Sequence, residues 1–132
     1  MKLALDSSVL LTIINGESQG ESWLELLVDA RRQGVLCLCE IVYAEISPAF
    51  ETRDELDEIL DRLGARLEPL QSEAAWLAGK TFKEYRRMGG PRTFMIPDFL
   101  IAAHARIQAD CLAAIDRGYL RSYFPDLEVM QV

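Results

Sequence analysis

"FMIPDFLIAAHARIQADCLAAID", residues 94–116, contains an apolar helix followed by an apolar strand. In 94–105 apolar residues cover almost every side of a helix, so this helix is expected to be buried rather than to lie on the surface. "CLAAID" reads as a short buried strand, because it is an apolar run of strand length with no polar alternation. A buried helix leading directly into a buried strand is the local signature of an α/β sheet.

The same alternation extends in both directions. "KLALD" reads as a first strand and "SSVLLTIING" as a short helix stopped near Gly16. "SQGE", Ser18 to Glu21, fits a capping box. Trp23, Leu26, Leu27 and Ala30 then fall at helical spacing up to Gly34. "VLCLCE" is a second strand, and "IVYAEISPAF" a helix broken by Pro48. "TRDE", Thr52 to Glu55, is another capping box, heading a helix of Leu56, Ile59, Leu60 and Leu63 that ends at Gly64. "ARLEPL" supplies a short strand. Ala74, Leu77, Ala78, Thr81, Phe82 and Tyr85 mark a longer helix, which runs into the loop "RRMGGPR". "LEVMQV" closes the chain as a last strand. The expected class is therefore α/β, with a mainly parallel central sheet and helices on both faces.

Composition narrows the function classes. At 132 residues, 50% hydrophobic and 27% charged, the chain suits one globular domain, 1–132. No apolar run approaches the ~20 residues of a membrane span. The N-terminal apolar stretch is interrupted by Asp6 and has no small-residue cleavage site, so it is read as mature cytoplasmic protein. Cys37, Cys39 and Cys111 form no CxxC pair and read as small buried hydrophobes in a reducing compartment. His104 is the only histidine; six residues past Asp98, it falls on a different side of the helix and reads as structural. The net charge of −7 argues against broad nucleic-acid binding but is compatible with a site that holds cations.

Most of the 21 acids lie in solvated stretches such as "ETRDELDEILDR". Asp6, Glu45, Asp98 and Asp116 do not: each adjoins apolar sequence. Singly, Asp6 and Asp98 suit helix caps, Glu45 a wet helix face, and Asp116 a turn with Gly118. Jointly they are more informative. Asp6 and Asp116 end strands, and ligands in parallel sheets bind outside the carboxyl ends of the strands. Converging carboxylates repel one another, and a divalent cation relieves both the repulsion and the cost of burial. Hard oxygen donors point to Mg²⁺ or Mn²⁺ rather than zinc.

"LDSSVLL", "VYAEI", "IPDFLIAAHA" and "AAIDRGYLRSYFPDLEVM" together resemble the PIN-domain ribonucleases, and among them the VapC-type toxins of bacterial toxin–antitoxin pairs. The resemblance covers essentially the whole chain. It implies an α/β/α sandwich and RNA hydrolysis with Mg²⁺ or Mn²⁺ on Asp6, Glu45, Asp98 and Asp116. In this reading Asp6 and Asp98 bind metal directly, and Glu45 and Asp116 complete the site partly through water. Ser7 or Ser8 matches a supporting hydroxyl position. The chain departs from the family at Ala114, where a Thr or Ser usually stands two residues before the last acid. The resemblance also implies an RNA substrate, a small antitoxin partner, seated in a groove among the early helices, and a homodimer, with no membrane role. Arg86, Arg87 and Arg92 bracket "MGGP" and, with Arg117 and Arg121, are candidate phosphate contacts. Two alternatives are an inert PIN-like binding module and a haloacid-dehalogenase-like phosphatase. The latter needs a second Asp where this chain has Ser8.

Overall fold

The first strand, β1 (Lys2–Leu5), is apolar apart from its opening lysine and is the middle member of a five-stranded parallel sheet. The computed structural model describes residues 1–115 and 118–132, with Tyr119 described by its backbone alone. The other strands are β2 (Val35–Leu38), β3 (Ala65–Leu67), β4 (Cys111–Ala113) and β5 (Val129–Met130), in the order β3-β2-β1-β4-β5. Leu3 pairs with Leu36 on one side and Cys111 on the other, and these central strands are buried almost throughout. That is why they read as continuous apolar runs: a parallel strand covered on both faces has no wet side to alternate with.

The helices follow the expected periodicity. They are α1 (Ser7–Ile14), α2 (Gly20–Gln33), α3 (Glu40–Ile46), α4 (Arg53–Leu63), α5 (Ser72–Arg87), α6 (Ile96–Gln108) and α7 (Tyr119–Tyr123). A 3₁₀ turn over Ser47–Ala49 absorbs Pro48, as its missing N–H requires. At the start of α4, the Thr52 hydroxyl accepts from the Glu55 N–H at 3.2 Å, so "TRDE" does cap its helix. "SQGE" does not: Gln19 occupies the cap position and gives no side-chain hydrogen bond. Packing explains the difference. A Cβ on Gly20 would lie 3.0 Å from the Thr12 carbonyl oxygen, so α2 starts pressed against the end of α1. The α1 end is instead held by Glu17, whose carboxylate accepts from the Thr12 hydroxyl at 3.0 Å. The one-turn-and-a-half α7 had no counterpart in the periodicity, being too short to show one.

The chain steps from β1 out to β2 and β3, then crosses back over to β4 and β5. Right-handed crossovers place the helices of these two journeys on opposite faces. The direction reverses between β1 and β4, and the crevice outside the carboxyl ends of two such strands is where open α/β sheets bind ligands. Asp6 directly follows β1 at this point.

α5 and α6 form an antiparallel hairpin. Gln71, before α5, donates its N–H to Gln108 at the end of α6 (2.8 Å), while Tyr85 near the end of α5 lies 5.2 Å from Phe99 near the start of α6. Phe99 is fully buried and also meets Phe82 at 5.3 Å and Phe124 at 6.0 Å. This aromatic cluster clamps the head of α6 between α5 and the α7 segment. The intervening loop is tied down as well: Tyr85 donates its hydroxyl to the Pro91 carbonyl at 2.6 Å, and a Cβ on Gly90 would lie 2.5 Å from the Tyr85 ring. Among the described residues no helix is long and apolar enough to cross a membrane.

Candidate active site

Asp6 caps α1. Its Oδ2 accepts from the Ser8 N–H at 3.3 Å and, in a very short contact, from the Ser8 hydroxyl. Its own N–H donates to the Ala113 carbonyl at 3.0 Å, so the residue stays in register with β4. The Ser8 oxygen meanwhile accepts from the Ile115 N–H at 3.2 Å. One hydroxyl thus bridges the first acid to the residue immediately before position 116. Next to it, Ser7 donates to Glu45 Oε1 at 2.8 Å, drawing the α3 acid to the head of α1. The two serines after Asp6 therefore serve different carboxylates, and they join β1, α3 and the end of β4.

Asp98 reaches the same edge by another route. α6 ends beside the start of the sheet, where Asp110 donates its N–H to the Lys2 carbonyl at 2.8 Å. A helix packed on β1 and β4 from that point rises about 1.5 Å per residue, which carries its head past the short strands to their carboxyl end. Asp98 is the third residue of α6, with Pro97 before it in the first turn. Its Oδ2 accepts from the Met95 N–H at 2.8 Å. The capping role is real and leaves the carboxylate in the first turn of the helix. Phe99, one residue on, anchors that turn in the core.

Asp116 and Arg117 lie outside the described residues. The arginines that end α5 make local contacts. Arg86 donates to the Gly90 carbonyl at 3.0 Å, and Arg87 grips Glu84 through two hydrogen bonds of 3.0 and 2.6 Å. Arg92 lines a hollow of about 220 Å³ with Phe82, Arg86 and Met95, next to the α6 head. Arg121 is exposed on α7.

A second cluster lies under α6. There the only described grouping of His, Cys and acid side chains close enough to share an ion is Cys37, Glu68 and His104, with donor atoms within 4.8 Å. It is distinct from the expected acid quartet. Glu68 accepts from His104 Nε2 at 3.0 Å and from Gln108 at 3.1 Å, and it forms a very short ion pair with Lys2. Burial pushes the Glu68 carboxyl up, but the Lys2 and His104 hydrogen bonds together outweigh it and hold the group below its usual range. Burial holds His104 down, against the pull of Glu68, so the neutral ring donates its Nε2–H to a charged carboxylate. Burial, with Glu68 adding to it, pushes the Cys37 thiol up to about 11. The cluster thus has its own cation in Lys2, and its sulfur keeps its proton. A metal would have to displace both, and the group reads as a satisfied polar network. His104 is structural, as the sequence suggested. Glu68 was not singled out, because nothing in "ARLEPL" distinguishes it; the signal was the need of a buried His104 for a partner.

A PIN-domain family model matches residues 3–123, and the chain belongs to the PIN-domain family. No curated protein matches it by sequence. Among solved structures it is similar to VapBC2 from Rickettsia felis bound to a DNA fragment from its promoter, with 18% identity and a TM-score of 0.75 over 100% of this chain and 99% of that one. It is also similar to VapBC-1 from nontypeable Haemophilus influenzae, with 16% identity and a TM-score of 0.71 over 99% and 98% of the two chains. DNA-bound VapBC from Salmonella typhimurium gives 20% identity and a TM-score of 0.64 over 99% and 98%. At these identities the likeness is one of fold.

Proposed function

We propose that the protein is a divalent-metal-dependent endoribonuclease that hydrolyses RNA phosphodiester bonds as the toxin of a toxin–antitoxin pair. The observation that carries this reading is the pair of serine hydroxyls at the carboxyl edge of a PIN-family sheet. Ser8 holds Asp6 and the residue before Asp116, and Ser7 holds Glu45. Serine donors orient carboxylates without cancelling their charge, which is what a cation site needs.

The donor set fits Mg²⁺ or Mn²⁺. The edge offers carboxylate oxygens and hydroxyls, while the cysteines and the histidine are buried. Asp6 and Asp98 would hold the ion, with Glu45 and Asp116 completing the set partly through water. When bound, the ion supplies positive charge against the scissile phosphate and lowers the pKa of a coordinated water. The chain's own part is positioning. The α1 cap fixes Asp6, the Phe99 clamp fixes Asp98, and Ser7 keeps Glu45 aimed at the same edge. Arg86 and Arg92 stand near the head of α6, where phosphate would pass.

The antitoxin reading draws support from α2 and α4. Their core faces bury Trp23, Leu27, Leu56 and Leu60, yet Leu24, Val28 and Ile59 remain exposed. A small antitoxin would cover this second apolar edge, as an apolar peptide in a groove. Three buried, unpaired cysteines accord with a reducing cytoplasm. A single domain over 1–132 and a homodimer complete the proposal.

The test is cleavage of single-stranded RNA in Mg²⁺ or Mn²⁺. The wild type should cut, and Asp6→Asn and Asp98→Asn should each lose about 100-fold or more, the scale of removing one preorganised electrostatic group. Wild-type rates in both variants would overturn the assignment.

A further inference from the structure

We propose that the outer face of α5 is a docking track for single-stranded RNA, with Trp76 as a stacking platform and Lys80, Lys83 and Arg87 as phosphate contacts. The proposal rests on the nuclease reading above and assigns that site its approach surface.

The four residues lie at i, i+4, i+7 and i+11 of one helix, within an arc of about 60° at 3.6 residues per turn. All four are exposed. Trp76 is 68% exposed, more than any other large hydrophobic side chain among the described residues. An indole left in water is unusual, because its apolar body favours a partner. Lys80 already uses it, with Nζ 4.7 Å from the ring centroid, which leaves the opposite ring face for a base.

Charge points to a polyanion. The chain carries a net −7, yet this stripe presents three cations. Neither Lys80 nor Lys83 forms an ion pair among the described residues. Arg87 pairs with Glu84, but that pair is solvent-exposed, and such pairs contribute little and exchange readily. Alternating aromatic and cationic side chains along a helix suit a single strand, whose bases stack and whose phosphates need charge.

Direction points to the acids. Because α5 and α6 are antiparallel, Trp76 lies toward the far end of the hairpin and Arg87 toward the end that holds the head of α6 and Asp98, on the face of α5 opposite the buried Ala74, Ala78 and Tyr85. The track covers about 16 Å at 1.5 Å per residue and leads to the carboxyl edge. Beside it, a groove of about 520 Å³ separates Lys80 and Met88 from Ser122 and Tyr123 of α7.

The experiment is fluorescence anisotropy of a labelled oligouridylate with the full chain in EDTA, where binding is read without cleavage, at two or more salt concentrations. Trp76→Ala should weaken binding about ten-fold, within the range for loss of one base stack. Lys80→Ala with Lys83→Ala should lower the slope of log affinity against log salt by about 0.7 per lysine. RNA should also quench tryptophan emission in the wild type and not in Trp76→Phe, in which only the buried Trp23 emits. All three positions are exposed, so the variants should fold, as circular dichroism can verify. No binding by the wild type, or unchanged affinity and slope in the variants, overturns the track. So does a change from dimer to monomer in Trp76→Ala without loss of RNA affinity, which would make the stripe a contact between copies. Metal-dependent cleavage by the stripe variants at wild-type rate and KM would leave the nuclease reading standing and remove this one. Binding that depends on the stripe in a protein that never cleaves would do the reverse.

Discussion

Two groups of titratable side chains sit on one sheet and are held in opposite ways. At the carboxyl edge, hydroxyls and backbone N–H groups fix Asp6, Glu45 and Asp98. Under α6, an ammonium, an imidazole and an amide converge on Glu68 alone. A neutral donor sets the direction of a carboxylate without itself cancelling the charge. A charged donor consumes it. In the proposed reading the same residue type serves chemistry in one place and folding in the other.

The largest expected effect tests that division. Asp6→Asn and Asp98→Asn should cost about 100-fold or more in RNA cleavage while leaving stability within about 1 kcal/mol, since Asn still caps a helix. A large loss of melting temperature in either would blur the boundary between the groups. Next comes the anchor of the edge. Phe99→Ala should destabilise by about 3 kcal/mol through the cavity it leaves, measured by denaturant unfolding. Phe99→Leu should cost less and retain cleavage per folded molecule.

The mirror-image variant is Glu68→Gln. It strands Lys2 and weakens the His104 and Gln108 contacts, so about 2 kcal/mol of stability should be lost. Cleavage by the folded fraction should stay at the wild-type rate. Acidification should probe the same network. The folded-state value of His104 is depressed, so the unfolded chain takes up that proton first and stability falls as pH drops below about 6.5. Glu68 is depressed too, and its contribution disappears as pH falls through about 4.5 and below. Melting temperature should therefore be flat between about pH 7 and 8 and fall in two stages on acidification. His104→Gln should abolish the first stage only; persistence of both would show that another group titrates there. The smallest effect belongs to Ser7→Ala. It frees Glu45, and should cost about 1 kcal/mol or less and reduce cleavage only several-fold.

The sequence revealed one group far better than the other. The edge acids were visible because each interrupts or terminates an apolar run, a contradiction readable within a few residues. Strand and helix order was equally local, and a parallel sheet covered on both faces follows from it, whereas the strand order β3-β2-β1-β4-β5 does not. The network under α6 joins Lys2 to Glu68 across 66 positions and His104 to Glu68 across 36, and no local pattern encodes such pairings. The bridge from Ser8 to Ile115 spans 107 positions and was likewise invisible, although Ser8 itself stood out. "SQGE" misled because tertiary packing of Gly20 on Thr12 chose the start of α2 one residue past the expected cap. α7 escaped because five residues hold too little of a helical period.

The division between the two groups is tested most directly by electron paramagnetic resonance of Mn²⁺ titrated into the wild type, Cys37→Ser, and the double variant Asp6→Asn with Asp98→Asn. The wild type and Cys37→Ser should bind the ion alike, and the double variant should leave it free in solution. Binding that survives in the double variant and is lost in Cys37→Ser would place the ion under α6 and contradict the account.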